Sequence, residues 1–271
     1  MASFDNLSDL PLKQFRLIPF DFFPGKFNMA IDYHLSINCQ RDDIPILRFY
    51  GWMPYCVSTG YHQNNEIIDF KKLENDGVDF VQRPTGGRAI LHAEELTYSV
   101  IVPRRSVDHR LLYRFIHQLF VNALRSLGYP VMLKSDNEKL GALTHHAEDF
   151  PCFTKSAQTE VQYENKKLIG SAQRIFPNAI LQHGSLLIGN KHADLPSYLN
   201  VDRKTKNAIK SEISEKTICL KNIKKNTISP ENIIDSVITQ LELARSISVN
   251  FEMINDLNIN SLENLQYNVQ R

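Results

Sequence analysis

The 271-residue sequence lacks the features that mark membrane and secreted proteins. No apolar run approaches the roughly 20 residues that a membrane-spanning helix needs. The opening stretch "MASFDNLSDLPLKQF" is neither basic nor apolar enough for a secretory signal peptide. Because 31 Lys and Arg face 30 Asp and Glu, the overall charge gives no reason to expect a nucleic acid or a membrane as partner. We therefore expect a cytoplasmic protein that binds neither.

Cysteine is also scarce, with four residues (Cys39, Cys56, Cys152 and Cys219) and no CxxC pair. Without a secretion signal, these residues are expected to be reduced thiols. Two adjacent histidines, His145 and His146, precede Cys152, but their spacing fits no zinc pattern. The sequence also contains neither a P-loop nor a dinucleotide fingerprint. We expect no metal and no cofactor.

The remaining composition is that of an ordinary globular protein, 42% hydrophobic and 23% charged, and is sufficient for a substantial core. Apolar patterns indicate short strands mixed with occasional helices, without a regular βαβ rhythm, so we predict an α+β fold. Strands are expected at 45–52, 55–61, 78–83, 88–92, 96–102 and 179–189, with a hairpin at 160–175 that turns at "ENKK". Helices are expected at 27–39, from Ser106 as N-cap to Leu127, and from Pro230 onward after the cap Ser229.

A basic segment lies between these elements, since residues 203–225 carry eight Lys or Arg against Glu212 and Glu215. Clustered charge of one sign accelerates association with an oppositely charged partner. A solvated surface segment without a partner is the alternative. The sequence does not decide between the two.

The stretch "RPTGGRAILH" (83–92) places two glycines between predicted strands. Glycine lets backbone amides approach a ligand closely, and Arg83 or Arg88 could meet a carboxylate or phosphate there. The alternative is a hairpin turn that requires positive φ angles at Gly86 and Gly87.

Small residues recur in "GSAQ" and "LQHGS", where Gly170, Ser171 and Gly184 lie on neighbouring predicted strands. They would leave room for a slender ligand against the sheet, or simply allow close strand packing. His183 in the same stretch is a candidate base, although a single histidine is more often structural.

Cys152 follows a proline in an irregular stretch, and Lys167 follows it in the predicted hairpin. A thiol is a weak nucleophile at neutral pH because little of it is ionised, and a nearby ammonium lowers its pKa. A loop cysteine that faces a hairpin lysine would supply such a pair. Many loop cysteines have no chemical role, which is the alternative.

In this order, "RPTGGRAILHAEELTYSVIVP", "CF", "KKLIGSAQ" and "LQHGSLL" resemble motifs of the biotin/lipoate protein ligase superfamily. "NMAID" (28–32) and "LRFYGWMPYCVSTGYHQ" (47–63) extend the likeness over roughly residues 20–245. The "CF" that stands fifteen residues before the lysine of "KLIGSAQ" is similar to that of the octanoyltransferases of lipoate assembly. The residues after the cysteine, "TKSAQTEV", lack the Pro-Ser found in several relatives.

This resemblance implies a mixed, mostly antiparallel sheet flanked by helices. It implies a catalytic domain over 1–250, with a core at 20–245, a basic linker at 200–228, a capping helix at 229–245 and a C-terminal tail at 251–271. It also implies that Cys152 takes an octanoyl group from octanoyl-acyl carrier protein as a thioester, assisted by Lys167. The substrate-binding residues by the same resemblance are Arg83, Gly86, Gly87, His92, Gly170, Ser171, His183 and Gly184.

The acceptor implied by the resemblance is a lysine of a lipoyl domain, in the glycine-cleavage H protein or in 2-oxoacid dehydrogenase E2 subunits. Two related activities remain open, an ATP-dependent lipoate–protein ligase and an amidotransferase that moves octanoyl or lipoyl groups between lipoyl domains. A non-catalytic module that binds acylated proteins is a third alternative. Binding alone requires neither Cys152 nor Lys167, which argues against that module.

Overall fold

The computed structural model describes residues 12–134, 160–226, 228–244 and 248–251 of the chain. Cys152, His145 and His146 therefore lie outside the described residues. The strands are β1 Gln14–Phe23, β2 Ile46–Trp52, β3 Cys56–Thr59, β4 Asp79–Gln82, β5 Ile90–His92, β6 Glu95–Pro103, β7 Met132–Leu133, β8 Val161–Tyr163, β9 Lys166–Lys167, β10 Ile169–Ile175, β11 Ala179–Leu187 and β12 Ser248–Phe251. The α-helices are α1 Gly25–Ile37, α2 Phe70–Asn75, α3 His109–Ser126, α4 Arg203–Lys216, α5 Leu220–Ile223 and α6 Pro230–Leu243.

A six-stranded sheet in the order β10-β11-β6-β2-β1-β12 forms the centre of the molecule. Pairing is antiparallel from β10 to β2, whereas β1 runs parallel to both of its neighbours. Every residue of β2, β6 and β11 is buried, so helices or loops cover both faces of the sheet there. The α+β prediction with a mixed, mostly antiparallel sheet is confirmed.

The two faces of this sheet are covered by different helices, because successive side chains of a strand point to opposite faces. On one face, Ile46, Ile101 and Leu181 pack with α1. On the other face, their neighbours Leu47, Val100 and Ile180 pack with α3 and α6. None of the helices within the described ranges is long and apolar enough to cross a membrane.

A three-stranded sheet, β4-β3-β5, stands beside the central sheet, and a third sheet, β7-β8-β9, lies near its β10 edge. In the second sheet, β3 runs parallel to β4 and antiparallel to β5. The loop that contains Gly86 and Gly87 therefore crosses from one side of β3 to the other. The hairpin alternative for this loop is wrong, although Gly87 does adopt a positive φ of 101°.

Two local expectations need correction. Helix α3 is capped by Asp108 rather than Ser106, since the Asp108 carboxylate accepts from the amides of Arg110 and Leu111 at 2.9 and 3.1 Å. The β8–β9 hairpin turns at two residues, Glu164 and Asn165, rather than at "ENKK".

The basic segment forms the helices α4 and α5, which the sequence analysis did not predict. Ile209 and Ile213, one turn apart on α4, are buried in an apolar cluster that includes Leu195 and Leu199. Two apolar anchors on one helical face thus suffice to dock an otherwise charged helix.

Candidate active site

A cavity lies between the central sheet and the second sheet, β4-β3-β5. It encloses about 470 Å³ of empty space, its open mouth included. The accessible surface of its wall is mostly apolar. Its lining comes from α1, β2, β5, β6, the segment from β9 to β11 and the loop at residues 83–89, which contains Gly86 and Gly87 and is called the glycine loop below. The residues are Met29, Tyr50, Trp52, Arg83, Ile90, His92, Thr97, Lys167, Gly170, Ser171, Ala172, His183, Gly184 and Ser185.

Lys167 and Lys166 are adjacent but point in opposite directions. The Lys167 side chain is buried in the cavity wall, and its Nζ lies 2.7 Å from Oε1 of the buried Glu160. Lys166 instead donates to the carbonyl of Ser214 on the outer side, at 3.1 Å. The lysine of "KLIGSAQ" is therefore the one that reaches the cavity.

The tight hairpin turn produces this orientation. Glu164 and Asn165 both have positive φ, 49° and 62°, as a two-residue hairpin loop of the primed type requires. The resulting register pairs Gln162 with Lys167. Glu160, two residues before Gln162, then lies on the same face as Lys167 and is its diagonal neighbour.

His92 forms part of a polar network in the opposite wall. Its ring stacks on Trp52 with centroids 4.0 Å apart, and its Nδ1 lies 2.7 Å from Oε1 of Glu95. A carboxylate only accepts hydrogen bonds, so this nitrogen carries the proton. Thr97 and Ser185 donate to the same oxygen, each at 2.7 Å.

The environment of Glu95 keeps its carboxyl ionised. Burial alone would raise the pKa of Glu95, but the charge and hydrogen bond of His92 outweigh burial. The hydroxyls of Thr97 and Ser185 act in the same direction, so the pKa lies below its ordinary value. His92 is therefore held in one orientation by a charged partner.

Arg83 lines the cavity, and its guanidinium also holds the glycine loop. It donates to the carbonyls of Gly86 and Arg88, both at 2.9 Å, and to the Ser58 hydroxyl at 3.2 Å. Across the loop, a Cβ on Gly60 would overlap the carbonyl of Gly87, which explains the close backbone approach there. Gly86 and Gly87 thus lie in the loop that Arg83 fixes, and neither is among the described residues that line the cavity.

His183 connects the glycine loop to a buried carboxylate. Its Nε2 lies 2.6 Å from Oγ1 of Thr85, and its Nδ1 lies 3.4 Å from Oδ2 of Asp32. Burial lowers the pKa of His183 below its ordinary value of 6.5, although Asp32 acts in the opposite direction. At neutral pH the ring is uncharged and bridges the two segments.

Asp32 is itself the centre of a buried cluster. Burial alone would raise its pKa, but the hydrogen bond of His183 and the charge of Arg48 outweigh burial and hold the pKa below its ordinary value. Arg48 contacts it at 2.9 Å, Ser99 donates at 2.8 Å and Tyr50 donates at 3.0 Å. Tyr50 thereby presents its ring, not its hydroxyl, to the cavity.

Ser171 and Gly184 form a narrow part of the sheet next to the cavity. The Ser171 hydroxyl lies 2.7 Å from the hydroxyl of Tyr98 and 2.8 Å from Nε2 of His117. A Cβ on Gly184 would meet Ser171 and Tyr98, so close strand packing requires glycine here. The packing interpretation therefore applies to Gly184, while its backbone also lines the cavity.

The structure brings together most of the residues predicted for the site. Seven of them line the cavity: Arg83, His92, Lys167, Gly170, Ser171, His183 and Gly184. The sequence analysis missed Glu160, Asp32 and Glu95, three buried carboxylates that contact these residues. Glu160 could have been found from the two-residue turn, because the hairpin register places it beside Lys167.

The chemistry of the cavity follows from these contacts. The polar groups of its wall are hydrogen-bonded to one another, so the surface that remains accessible is mostly apolar. Lys167 adds an ammonium group to this wall. Such a site suits a slender apolar chain with a polar or anionic end near Lys167. Within the described ranges, no group of three or more His, Cys, Asp or Glu could hold a metal ion.

Comparisons with known proteins agree with this geometry. The family model described as the lipoyl protein ligase A/B catalytic domain matches residues 24–242. The chain is 40% identical over 168 residues to a protein named octanoyltransferase LipM from Kyrpidia tusciae. The aligned residues cover 60% of this chain and 61% of that relative. It is 38% identical over 184 residues to a protein of the same name from Clostridioides difficile. Here the aligned residues cover 65% of this chain and 66% of the relative. The chain thus matches less than two thirds of the length of either relative.

A solved structure supports the fold alone, because its sequence identity is low. It is described as a bi-partite lipoate protein ligase and its E2 lipoyl domain from Thermoplasma acidophilum. The TM-score is 0.71 at 23% identity, over 90% of this chain and 88% of that one. The matched family model spans four strands of the central sheet (β2, β6, β10 and β11), the second and third sheets, and all the α-helices except the last residue of α6. The chain therefore belongs to the lipoyl protein ligase A/B catalytic domain family.

Proposed function

We propose that the chain is an octanoyltransferase of lipoate biosynthesis that moves an octanoyl group from octanoyl-acyl carrier protein to a lysine of a lipoyl domain. The observation that carries this proposal is the buried Lys167 in the wall of a mostly apolar cavity. The names of the relatives support the transfer of an octanoyl group. Cys152 is the proposed nucleophile, by its place in the sequence pattern, and it lies outside the described residues.

The first half-reaction is an exchange of thioesters. The Cys152 thiolate attacks the carbonyl carbon of the octanoyl thioester, and the negative charge of the tetrahedral intermediate develops on the carbonyl oxygen. The Lys167 ammonium stabilises this oxygen. The bond to the carrier's sulfur then breaks, the carrier leaves as a thiol after taking a proton, and Cys152 holds the octanoyl group.

The second half-reaction forms the product. The neutral amine of the acceptor lysine attacks the octanoyl-Cys152 carbonyl, and the same ammonium stabilises the new oxyanion. The carbon–sulfur bond breaks, the amine loses a proton, and Cys152 returns to the thiol state. Because an amide is more stable than a thioester, this step runs downhill and draws the balanced first step forward.

The remaining cavity residues bind the chain rather than react. Gly170 and Ala172 are small and leave space along β10 for the alkyl group. The stacked rings of Trp52 and His92 supply a flat apolar wall. Burying an alkyl chain there contributes about 0.8 kcal/mol per methylene. The donor and acceptor proteins, an acyl carrier protein and a lipoyl domain, would both deliver their reacting groups to Lys167.

The contacts of Arg83 bear on the ATP-dependent alternative. A ligase that forms an acyl-adenylate needs donors for a phosphate. The guanidinium of Arg83 instead donates to two carbonyls and a hydroxyl of its own loop. This arrangement favours a transferase, in which the acyl group arrives already activated.

The decisive experiment mixes the protein with octanoyl-acyl carrier protein in the absence of acceptor. We expect intact-mass analysis to show one added octanoyl group, which neutral hydroxylamine removes because it cleaves thioesters and not amides. The variant Cys152→Ala is expected to form no adduct and to transfer nothing. Cys219→Ala is the matched control, because Cys219 is a fully buried thiol and should leave adduct formation unchanged.

Other outcomes of this experiment, with the donor varied, would identify one of the alternative functions. Full activity from octanoate and ATP that survives in Cys152→Ala would establish a ligase. An adduct that forms from octanoylated lipoyl domain but not from octanoyl-acyl carrier protein would establish an amidotransferase. Absence of any adduct or transfer with all three donors would contradict the whole assignment.

A further inference from the structure

We propose that Glu160 is a positioning residue, which keeps the Lys167 ammonium charged and directed into the cavity. This inference rests on the proposed function, since it assigns Glu160 a role in the same reaction. Glu160 itself does not line the cavity. Its effect on the reaction is therefore exerted through Lys167.

The geometry of the pair supports this role. Oε1 of Glu160 lies 2.7 Å from Nζ of Lys167, and the two side chains are 4% and 8% exposed. Charge-assisted hydrogen bonds of this length are among the stronger ones in proteins. The Lys167 side chain is thus held at a defined place in the wall.

The backbone on both sides of the pair is also fixed. The carbonyl of Glu160 accepts from the amide of Lys134 at 2.9 Å, and the carbonyl of Lys167 accepts from the amide of Ile218 at 3.0 Å. A long lysine side chain has many rotamers, and a carboxylate on a rigid hairpin selects one of them. The contact therefore gives the ammonium a direction as well as a place.

Burial explains why the ammonium needs a carboxylate. A buried ammonium is disfavoured relative to the neutral amine unless a negative charge balances it. Among the described residues that line the cavity, the other charged or titratable side chains do not supply this balance. Arg83 is a cation, His92 and His183 are histidines, and the Glu95 carboxylate is engaged by His92, Thr97 and Ser185. A neutral amine at position 167 could not stabilise an oxyanion by charge.

The test compares Glu160→Gln, which keeps the size of the side chain but removes its charge, with the wild type. We expect the kcat of octanoyl transfer to fall about tenfold or more at neutral pH, while the KM for the donor changes less than about twofold. The alkaline limb of the activity–pH profile should move about one to three pH units lower. Glu160→Asp should recover part of the activity.

Two further variants separate positioning from a general loss of structure. Glu164→Gln changes an exposed glutamate in the turn of the same hairpin and should leave the pH profile unchanged. In the double variant Glu160→Gln with Lys167→Arg, the alkaline shift should disappear, because a guanidinium stays charged throughout the accessible pH range. If this variant retains the shift, the inference is wrong.

A measurement without acyl donor keeps this inference distinct from the proposed function. Reductive methylation of Lys167, quantified by peptide mass spectrometry across a pH series, reports when its amine becomes neutral. We expect labelling to begin at lower pH in Glu160→Gln than in wild type, with Lys166 in the same peptide as the internal standard. Identical labelling curves would overturn the role of Glu160, whether or not the protein transfers octanoyl groups. If Glu160→Gln does not fold, Glu160→Asp is measured in the same way, with a smaller shift in the same direction expected.

Discussion

Among the described residues, two buried ion pairs join an arginine or a lysine to a carboxylate, and they differ in what surrounds them. Arg48 and Asp32 are fully buried, 2.9 Å apart, and the Asp32 carboxylate also accepts from Tyr50 and Ser99 and contacts His183. Lys167 and Glu160 are almost as deeply buried, 2.7 Å apart, but Lys167 forms part of the cavity wall. The first pair faces other protein groups, whereas the second faces a space that a ligand can enter.

This difference follows from the chemistry of the cations. The planar guanidinium of Arg48 contacts the carboxylate of Asp32, the carbonyl and side-chain oxygen of Asn28, and the ring of Tyr50. An ammonium is a compact charge on a flexible stem, which suits a group that must also meet a substrate. We infer that the arginine pair holds α1 to the central sheet and that the lysine pair serves the reaction.

The largest effect on stability is expected when the arginine pair is broken. Asp32→Ala leaves the Arg48 guanidinium buried without its carboxylate and removes the acceptor for Tyr50 and Ser99. We expect a loss of about 3–5 kcal/mol in the free energy of unfolding, measured by urea denaturation. Asp42→Ala, at an exposed aspartate, is the control and should change it by less than about 0.5 kcal/mol. Equal stability of the two variants would contradict the structural role of this pair.

The elements around this pair were largely predictable from the sequence. Apolar spacing gave α1 and the buried strands, because tightly packed elements carry the strongest periodic signal. The Asp32–Arg48 contact was not predictable, since its partners lie on different elements and neither stands in a recognisable motif. Polar residues within an apolar helix or strand indicate burial with a partner, but they do not identify that partner.

The candidate active site, too, could be predicted only in part from the sequence. Motif order identified Lys167, His92 and Gly170, and the structure places all three in the lining of one cavity. Glu160 was missed because the hairpin turn was assigned four residues instead of two, which placed Lys167 in the turn rather than in a strand next to Glu160. The role of Arg83 was also not visible, since most of its acceptors are backbone carbonyls, which carry no sequence signal.

A large effect on activity is expected at the lysine pair. Lys167→Ala removes the ammonium from the cavity and should lower octanoyl transfer about 100-fold or more, measured per folded protein. Lys166→Ala should leave transfer near normal, because that side chain faces outward towards Ser214. The two adjacent variants differ only in the face of β9 that they change.

Equal activity of these two variants would show that the lysine assignment is wrong. A third variant, Lys167→Arg, sharpens the comparison of the two pairs. It keeps the charge but enlarges the group, so it should retain more activity than Lys167→Ala and less than the wild type.

The smallest effects are expected from exposed charges on the basic segment, where ion pairs are open to water. Lys216 and Glu212 on α4 form a pair at 2.6 Å, yet both side chains are at least one third exposed. Lys216→Ala should therefore change the free energy of unfolding by less than about 0.5 kcal/mol. Asp32→Ala should be measured in the same urea titration. A much larger loss of unfolding free energy in Asp32→Ala than in Lys216→Ala would show that an ion pair matters for stability here only when it is buried.

The same segment also tests whether exposed charge attracts the carrier protein. Lys221 lies 3.5 Å from Glu94, and Lys224 donates to the carbonyl of Leu127 at 3.0 Å, so reversing their charge would disturb the fold as well as the surface. Lys204 and Lys225 are exposed and are the better choice. Because acyl carrier proteins are generally acidic, Lys204→Glu with Lys225→Glu should raise the KM for octanoyl-acyl carrier protein severalfold at low salt. This difference should shrink near 1 M salt, where the screening length falls to roughly 3 Å. A KM equal to that of the wild type at low salt would mean that these charges only solvate the surface.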